Sequence, residues 1–338
     1  MTRVAFDADA LQQAVLALLP DETHADPDLR RFASLMRDYP LRGGKRLRGL
    51  LVLTSTEAHG GDPHAAVPVA AALELFQNWV LVHDDIEDDS EERRGAPALH
   101  RLVGVPVALN VGDAMHVAMW RALIDLESRA DFDADAVRHE FLWMIERTAE
   151  GQHLDLAWVA QERFDVGEEA YLAMVRRKTA AYTVVSPLRL GAHASGFAPH
   201  DDLASIGERL GAAFQIRDDV LNLLPSQGGA YGKEFAGDLY EAKRTLVLAH
   251  ALAHAPRDEA DEAIARLRPP REARSEDDVR WLLALFERTG SIRYAQERAE
   301  ALARSALREL ESVLRELPGR DAADALLRTL RSLTERTA

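Results

Sequence analysis

The sequence contains no cysteine among its 338 residues, and aromatic residues make up only 6% of it. The absence of cysteine excludes disulfides and cysteine-ligated metals, and it fits a cytoplasmic protein. With 47% apolar residues, the core is expected to consist mainly of Ala, Leu and Val. No apolar run approaches the roughly 20 residues of a membrane-spanning helix. Asp7 and Asp9 in the first apolar segment argue against a signal peptide.

Positive charge is also scarce, since the formal net charge is −15 at pH 7. No basic tail or patch is large enough to predict binding of nucleic acid. A scaffold this acidic repels anionic substrates, so any phosphate site needs local basic residues or a metal ion.

Strand signals are missing as well, because no segment alternates with period two or carries a dense β-branched run. Apolar residues instead recur with helical spacing, which predicts an all-α protein. The expected helices cover residues 8–19, 27–38, 47–58, 65–92, 99–126, 135–160 and much of 201–224. From about residue 245 to the end, the Ala/Leu/Arg/Glu-rich helical pattern predicts packing without chemistry.

The densest acidic stretch is LVHDDIEDDSEERRG, which begins at Leu81. On a helix, Asp84 and Asp88 lie one turn apart on the same face, where two like charges repel each other. A magnesium ion bound by both carboxylates removes that penalty. Arg93 and Arg94 follow, and arginine binds phosphate through two hydrogen bonds. The alternative is a solvated charged helix face.

A basic stretch, LRGGKRLR, precedes the apolar helix expected at 47–58. Its basic residues oppose the helix dipole at that N-terminus, and a bound anion reconciles them. The residues concerned are Arg42, Lys45, Arg46 and Arg48. A solvated basic turn is the alternative interpretation.

A second acidic stretch, FQIRDDVLN, places Gln215, Asp218 and Asn222 on one helical face. Its surroundings are more apolar than those of the first, and buried carboxylates need partners or a metal ion. Lys178 lies in another apolar run, AMVRRKTAAYTVV, where either a site in a cleft or ordinary exposure of the ammonium group is possible.

A glycine-rich segment, PSQGGAYGKEFAGD, follows the second acidic stretch. It contains Lys233, and Asp238 and Lys243 come directly after it. If both acidic stretches and the basic residues converge at the mouth of a helical bundle, they form one site. We therefore expect a single domain, residues 1–338, with a central active-site cavity. Such a site suits departure of diphosphate from carbon, with an apolar cavity that shields a carbocation from water.

The segments GGKRLR, LVHDDIEDDSEERRG, GQHLDL, KTAAY, FQIRDDVLN and GKEFAGDLYEAKRT occur in this order. In this the chain resembles the trans-prenyltransferases of the isoprenyl (polyprenyl) diphosphate synthase family, over nearly its full length. The resemblance implies an all-α homodimer that depends on Mg²⁺. It also implies condensation of an allylic diphosphate with isopentenyl diphosphate, the departed diphosphate removing the final proton.

Matched position by position, the resemblance implies three groups of site residues. The implied metal ligands are Asp84, Asp88, Asp218 and Asp238. The residues implied to hold the allylic diphosphate, or to lie beside it, are Arg93, Lys178, Thr179, Gln215, Lys233 and Lys243. The implied isopentenyl diphosphate site consists of Lys45, Arg48, Gln77 and Arg94.

Four positions depart from the commoner family patterns. Gln77 stands where many long-chain members have histidine, and Asn222 replaces an aspartate, so we expect a contact through water there. Gly49 stands where proline is frequent, and Ala242 where glycine is frequent. None of these changes removes an expected charged ligand.

Product length is predicted from the helix that carries Asp84. Val80 is small and leaves the upper tunnel open, whereas Trp79 and Phe76 are large enough to form its floor. In similar enzymes an aromatic residue at the position of Trp79 accompanies short products. We therefore expect geranylgeranyl diphosphate, with farnesyl diphosphate or a longer polyprenyl diphosphate as alternatives. Ordinary packing between helices is the competing interpretation of both aromatic residues.

Three other functions remain open on the sequence. A terpene cyclase needs one diphosphate site and has no use for Lys45, Arg48 and Arg94 together. A head-to-head condensing enzyme shares the same helical fold. A non-catalytic partner subunit typically loses acidic ligands, and this chain keeps both sets.

Overall fold

The all-α prediction is confirmed. The computed structural model describes residues 8–128, 131–224 and 235–334. The helices are α1 (Ala8–Ala17), α2 (Pro27–Leu41), α3 (Leu47–Ala58), α4 (Val67–Glu87), α5 (Leu99–Val103), α6 (Val105–Ile124), α7 (Ala134–Ala160), α8 (Glu168–Val175), α9 (Ser186–His193), α10 (Asp202–Asn222), α11 (Gly237–Tyr240), α12 (Leu246–His254), α13 (Arg257–Leu267), α14 (Glu276–Arg288), α15 (Ser291–Leu314) and α16 (Arg320–Thr334).

Four further elements complete the described fold. A π-helical segment, Arg176–Val185, joins α8 to α9, and a 3₁₀ turn, Arg271–Ala273, precedes α14. Strands β1 (Glu92–Arg93) and β2 (Ala96–Pro97) form an antiparallel hairpin in which Glu92 faces Pro97 and Arg93 faces Ala96.

The chain divides into two compact units. One contains Met1–Trp143, Ser186–Leu203 and Ser312–Leu327, and the other contains Met144–Val185, Ala204–Glu311 and Arg328–Ala338. The single domain expected from the sequence stays a prediction. No helix in the described part of the chain is long and apolar enough to span a membrane.

The first unit is built around α4, which is buried from Val69 to Asn78. Between Val69 and Phe76 only Glu74 is polar, so neighbours must cover every face of this part of the helix, and α1, α3 and α6 do so. Helix α9 packs closely on α3, where a Cβ added to Gly191 would lie 2.3 Å from the Cβ of Ser55. Ser55 also donates a hydrogen bond to the carbonyl of Leu188 at 2.8 Å.

The second unit has its own core, in which Tyr171, Ile216, Leu282 and Phe286 are buried together. The amphipathic helices α14 and α15 contribute their apolar stripes to it, as the sequence predicted. Helix α14 begins with a capping box between Ser275 and Asp278, which satisfies backbone N–H groups at its first turn.

Two predicted helices have different ends in the structure. The helix expected at 65–92 ends at Glu87, because Asp89 takes a left-handed conformation with φ 51° and the chain enters the β1–β2 hairpin. The helix expected at 99–126 is divided at Gly104, whose φ of 81° no helix accommodates. Pro106 then starts α6.

Candidate active site

The first acidic stretch lies at the C-terminal end of α4. Asp84 is in the last turn, and Asp88 caps the helix with its N–H donated to the carbonyl of Asp84. The two residues are therefore one turn apart, as predicted. Between them, Asp85 is fully buried and accepts hydrogen bonds from the Tyr39 hydroxyl and from Arg93.

Arg93 lies on the hairpin and not on a helix end, which corrects the local structure expected from the sequence. Its guanidinium binds both carboxylate oxygens of Asp85, with Nε distances of 2.9 and 3.1 Å, and lies 3.5 Å from Asp84. Burial alone would lower the pKa of Arg93, but the Asp85 charge and hydrogen bonds hold it above its ordinary value. The pair thus fixes the hairpin to the acidic end of α4. Arg42 donates to the carbonyls of Arg93 and Pro97 from the other side.

Arg94 occupies the hairpin turn in a left-handed conformation, with φ 54°. It donates to the carbonyl of Tyr39 at 2.7 Å and to Oδ1 of Asn78 at 3.2 Å. Burial, followed by the charges of Arg46 and Arg93, lowers the pKa of Arg94 to about 10. Neighbouring guanidinium groups repel each other, and a bound anion relieves that repulsion.

The start of α3 completes this basic group. Arg46 is buried and left-handed, with φ 47°, and its Nη1 lies 3.9 Å from the buried Glu74. Glu74 also accepts the backbone N–H of Gly49 at 2.9 Å, a bond that proline at this position could not donate. A Cβ at Gly49 would lie 2.4 Å from Leu11. The departure from the family pattern therefore has a local cause.

The other residues predicted for isopentenyl diphosphate belong to the same unit. Lys45 is exposed beside Arg46, and Arg48 is half-buried in the first turn of α3. Gln77 is buried on α4, one turn before Leu81, and its Oε1 has no hydrogen-bond partner among the described residues. An amide oxygen only accepts hydrogen bonds, so a contact with a diphosphate would come from the Nε2 donors of Gln77.

The predicted product-length residues lie where α4 meets α6. Phe76 is fully buried and packs edge-to-face with Trp79, at a centroid distance of 5.4 Å. The indole of Trp79 stacks flat on His116 of α6, at 4.0 Å and 5°. Trp120 donates its Nε1–H to Nε2 of His116 at 2.8 Å. Val80 is half-buried.

In the second unit, the π-helical segment carries Lys178 and Thr179. Such segments are rare and occur often at functional sites. A Cβ at Gly151 of α7 would lie 2.1 Å from the backbone N of Lys178, and one at Gly211 of α10 would lie 2.4 Å from Cα of Ala180. Two glycines therefore allow α7 and α10 to approach this segment closely.

Lys178 extends its ammonium group to Asp155, which Gly151 precedes by about one turn on α7. The sequence left open a site in a cleft and ordinary exposure of this ammonium group, and the structure gives it a carboxylate partner. Beside it, Thr179 donates to Oε1 of Gln215 at 2.8 Å.

Gln215 in turn contacts Asp219, because its Nε2 donates to Oδ1 of Asp219 at 2.7 Å. The buried Tyr171 hydroxyl donates to the other oxygen of Asp219 at 2.6 Å. Burial raises the pKa of Asp219 to about 6, although both hydrogen bonds oppose the change. Asp219 therefore orients Gln215 beside the half-buried Asp218.

Asp238 lies in α11 and is fixed by the end of α10. Its N–H donates to Oδ1 of Asn222 at 3.1 Å, so the side chain of Asn222 holds the backbone of α11. The contact of Asn222 through water stays a prediction. Lys243 follows α11, with Nζ 3.9 Å from Oδ1 of Asp238 and 2.7 Å from Glu241. Lys233 lies outside the described residues.

The donor set of each acidic group fits magnesium. Within the described ranges, no three or more His, Asp or Glu side chains form a ready-made metal cluster. Mg²⁺ commonly binds through only one or two carboxylates, and waters and substrate phosphates complete its octahedron. Asp84 with Asp88, and Asp218 with Asp238, are donor sets of this kind.

Several residues of this region could not be selected from the sequence. Tyr39 and Tyr171 each hold a buried aspartate that adjoins a predicted ligand, and nothing in the spacing marks either tyrosine. His116 likewise has no local signal. Asp85 and Asp219 stood next to predicted ligands, and their dense hydrogen bonding could have been anticipated from the rule that buried carboxylates need partners.

Comparison with known proteins extends this picture. A family model described as polyprenyl synthetase matches residues 30–286. The short chain isoprenyl diphosphate synthase of Methanothermobacter thermautotrophicus is 37% identical over 285 residues, which cover 83% of each chain. The geranylgeranyl diphosphate synthase of Saccharolobus solfataricus is 33% identical over 279 residues, or 80% of each chain. The crystal structure of a geranylgeranyl pyrophosphate synthase from Corynebacterium glutamicum, complexed with isoprenyl diphosphate and magnesium, superposes with a TM-score of 0.85. It is 29% identical and covers 98% of this chain and 100% of that chain.

Proposed function

Since this chain belongs to the polyprenyl synthetase family and is a trans-prenyltransferase, we propose that it makes geranylgeranyl diphosphate from isopentenyl diphosphate and an allylic diphosphate with Mg²⁺. The observation that carries the use of two diphosphates is the basic group formed by Arg46, Arg48 and Arg94. Arg46 and Arg48 lie at the start of α3, Arg94 lies in the hairpin turn that follows the acidic stretch, and charge repulsion among them favours an anion.

The acidic residues are proposed to bind the allylic diphosphate through Mg²⁺, which neutralises charge on the leaving group when it is bound. Asp84 and Asp88 form one carboxylate set, and Asp218 with Asp238 forms the other. We propose that both sets serve the same reaction. The magnesium in the Corynebacterium glutamicum complex supports this choice of metal.

Basic and amide side chains are proposed to hold the departing diphosphate. Lys178 is oriented by Asp155, and Gln215 by Thr179 and Asp219. Groups fixed before the reaction stabilise developing charge without further reorganisation. Lys243, and Lys233 by resemblance, complete this set.

The isopentenyl diphosphate site is proposed to consist of Lys45, Arg48, Gln77 and Arg94. The carbonyl of Tyr39 holds Arg94 through Nη1 only, and the other nitrogens of this guanidinium can donate to a phosphate oxygen. The buried amide of Gln77 provides a further polar contact. The departed diphosphate is proposed to take the final proton.

Chain length is proposed to be limited by the aromatic layer of Phe76, Trp79 and His116. The flat stacking of Trp79 on His116 leaves the indole little freedom to move aside. This supports a short product, and farnesyl diphosphate is the nearest alternative. The names of two relatives, a short chain and a geranylgeranyl synthase, are consistent with this range.

The protein is further proposed to act as a homodimer. Val105, Leu109, Val117 and Ile124 are exposed on α6, and helical geometry places them within a sector of about 120°. A second copy is proposed to cover these exposed apolar side chains, which share the sector with the exposed Asp113. Light scattering should give twice the mass of the chain, whereas the mass of a monomer contradicts this part of the proposal.

The function is tested by product analysis of the purified protein. Farnesyl diphosphate and Mg²⁺ are supplied with and without isopentenyl diphosphate, and the products are identified by mass spectrometry. We expect geranylgeranyl diphosphate only when both substrates are present. A cyclic product from the allylic substrate alone would indicate a cyclase, and no turnover by the chain alone would indicate a partner subunit.

A further inference from the structure

Arg274 lies between the 3₁₀ turn and α14, in the part of the chain where the sequence predicted packing alone. Its side chain is buried, with 6% of the residue exposed. No carboxylate is among its hydrogen-bond partners in the described structure. A buried cation is costly, so its contacts need a specific explanation.

Every N–H group of this guanidinium donates to a backbone carbonyl. Nη1 donates to Leu239 at 3.1 Å and to Tyr240, and Nη2 donates to Leu267 at 2.6 Å and to Pro269 at 2.5 Å. Nε donates to Arg266 at 3.3 Å. Five donors thus meet five acceptors, which is the full capacity of arginine and more than the three donors of lysine.

Two of these carbonyls belong to α11, the short helix that carries Asp238. This helix lies between Ala236 and Ala242, both left-handed, with φ 55° and 53°. Such conformations cost about 1 kcal/mol or more for alanine, so surrounding contacts must maintain them. Asn222 holds one side through the N–H groups of Ala236 and Asp238, at 2.8 and 3.1 Å.

Arg274 holds the other side. The remaining three carbonyls lie at the end of α13, so the guanidinium connects α11 to the end of a helix that is distant from it in sequence. The backbone at Arg274 is itself anchored, because Ser275 starts the capping box of α14. The side chain of Arg274 therefore connects its own anchored backbone to α11, which carries Asp238 and precedes Lys243.

We propose that Arg274 is a positioning residue that holds Asp238 and Lys243 in the geometry for binding magnesium diphosphate. This inference rests on the proposed function, in which Asp238 is a metal ligand. Arg274 itself acts only through the backbone of α11. A longer-range role of this kind explains why a buried cation is kept in a region of otherwise plain helix packing.

The first test measures how well the backbone of α11 and its flanking residues is held in the absence of metal and substrate. Amide hydrogen exchange by mass spectrometry is compared over residues 236–243 in wild type, Arg274→Met and Arg274→Lys. We expect exchange in this segment to be at least tenfold faster in both variants, with α15 unchanged. Unchanged exchange in both variants overturns the proposal. If Arg274→Met fails to fold, Arg274→Lys, which keeps the charge, decides.

The second test measures binding of Mg²⁺ with inorganic diphosphate by calorimetry. We expect the Kd to rise at least tenfold in the Arg274 variants. Arg288→Ala is the matched control, because Arg288 of α14 forms an ion pair with Glu259 of α13 at 2.7 Å and is not among the hydrogen-bond partners of Arg274. It should change exchange at 236–243 and the Kd by less than twofold. An equal effect of Arg288→Ala would show general destabilisation and contradict the proposal.

A combined variant separates this inference from the proposed function. In a background that carries both Asp238→Asn and Lys243→Met, Arg274→Lys should raise the Kd by less than twofold, since both groups that it positions are already lost. A further full tenfold rise contradicts positioning through these two residues. If Asp238→Asn alone leaves the Kd unchanged, the ligand assignment in the proposed function fails, while the exchange test still decides whether Arg274 holds the turn.

Discussion

Replacement of Gly151 by alanine tests how closely α7 approaches the π-helical segment. The added Cβ would lie 2.1 Å from the backbone N of Lys178 and 2.6 Å from its Cα. Both are backbone atoms, so no side-chain rotation relieves the overlap. Overpacking of this kind costs about 3 kcal/mol at the upper end of its usual range. Alanine is favoured over glycine inside a helix by roughly 1 kcal/mol. The expected net loss in the free energy of unfolding is about 2 kcal/mol.

Urea unfolding followed by circular dichroism measures this loss, with Gly167→Ala as the matched control. Gly167 has φ −85° at the N-cap of α8, and a Cβ there meets no atom within 4 Å, so its free energy of unfolding should fall by about 1 kcal/mol at most, through the weaker cap alone. Because Lys178 moves relative to Asp155, kcat/KM for the allylic diphosphate should also fall about tenfold or more in Gly151→Ala. A Gly151→Ala protein as stable as wild type would refute the close approach.

Two further predictions concern Arg93 with Arg94 and the aromatic layer. Arg93→Ala leaves the buried Asp85 carboxylate without its cation, so the free energy of unfolding in urea should fall by about 3 kcal/mol. Arg93→Ala should also raise mainly the KM for the allylic diphosphate, whereas Arg94→Ala should raise mainly the KM for isopentenyl diphosphate. Equal effects on both Michaelis constants would contradict this division. Trp79→Ala or Phe76→Ala should lengthen the product with little loss of turnover, as measured by mass spectrometry. If neither single variant nor the double variant lengthens the product, other residues limit the length of the prenyl chain.

Much of the fold was predictable because its signals are local. The helix at 47–58 was expected with the bounds that the structure shows, and the one-turn spacing of Asp84 and Asp88 needed only helical geometry. Asp218 and Asn222 likewise share one face of α10. Local periodicity determines such relations, whatever the rest of the chain does.

The parts that were missed depend on contacts between distant residues. Tyr39 reaches Asp85 across 46 positions, and no spacing rule connects them. The hairpin that carries Arg93 replaces the helix expected there, because Asp89 reverses the chain and Asp85 binds the arginine. A continuous charged run hides this turn, since turns are usually recognised by glycine, proline or asparagine.

The π-helical segment was also beyond sequence reasoning. Its residues, RRKTAAYTVV, fit an ordinary α-helix equally well. The close approach of Gly151 and Gly211 becomes visible only when their partners are known. Ala242 is instructive in the same way: glycine is frequent there because φ is 53°, and Arg244 donates to its carbonyl from a buried position.

The most direct test of the central claim is turnover of Asp84→Ala and Asp218→Ala with both diphosphate substrates and saturating Mg²⁺. Asp258→Ala, an exposed carboxylate on α13, is the control. Each acidic set is proposed to bind the diphosphate through magnesium. Turnover of both site variants should therefore fall at least about a hundredfold, with unchanged circular dichroism and a control equal to wild type. Near-normal turnover in Asp84→Ala and Asp218→Ala would contradict the account.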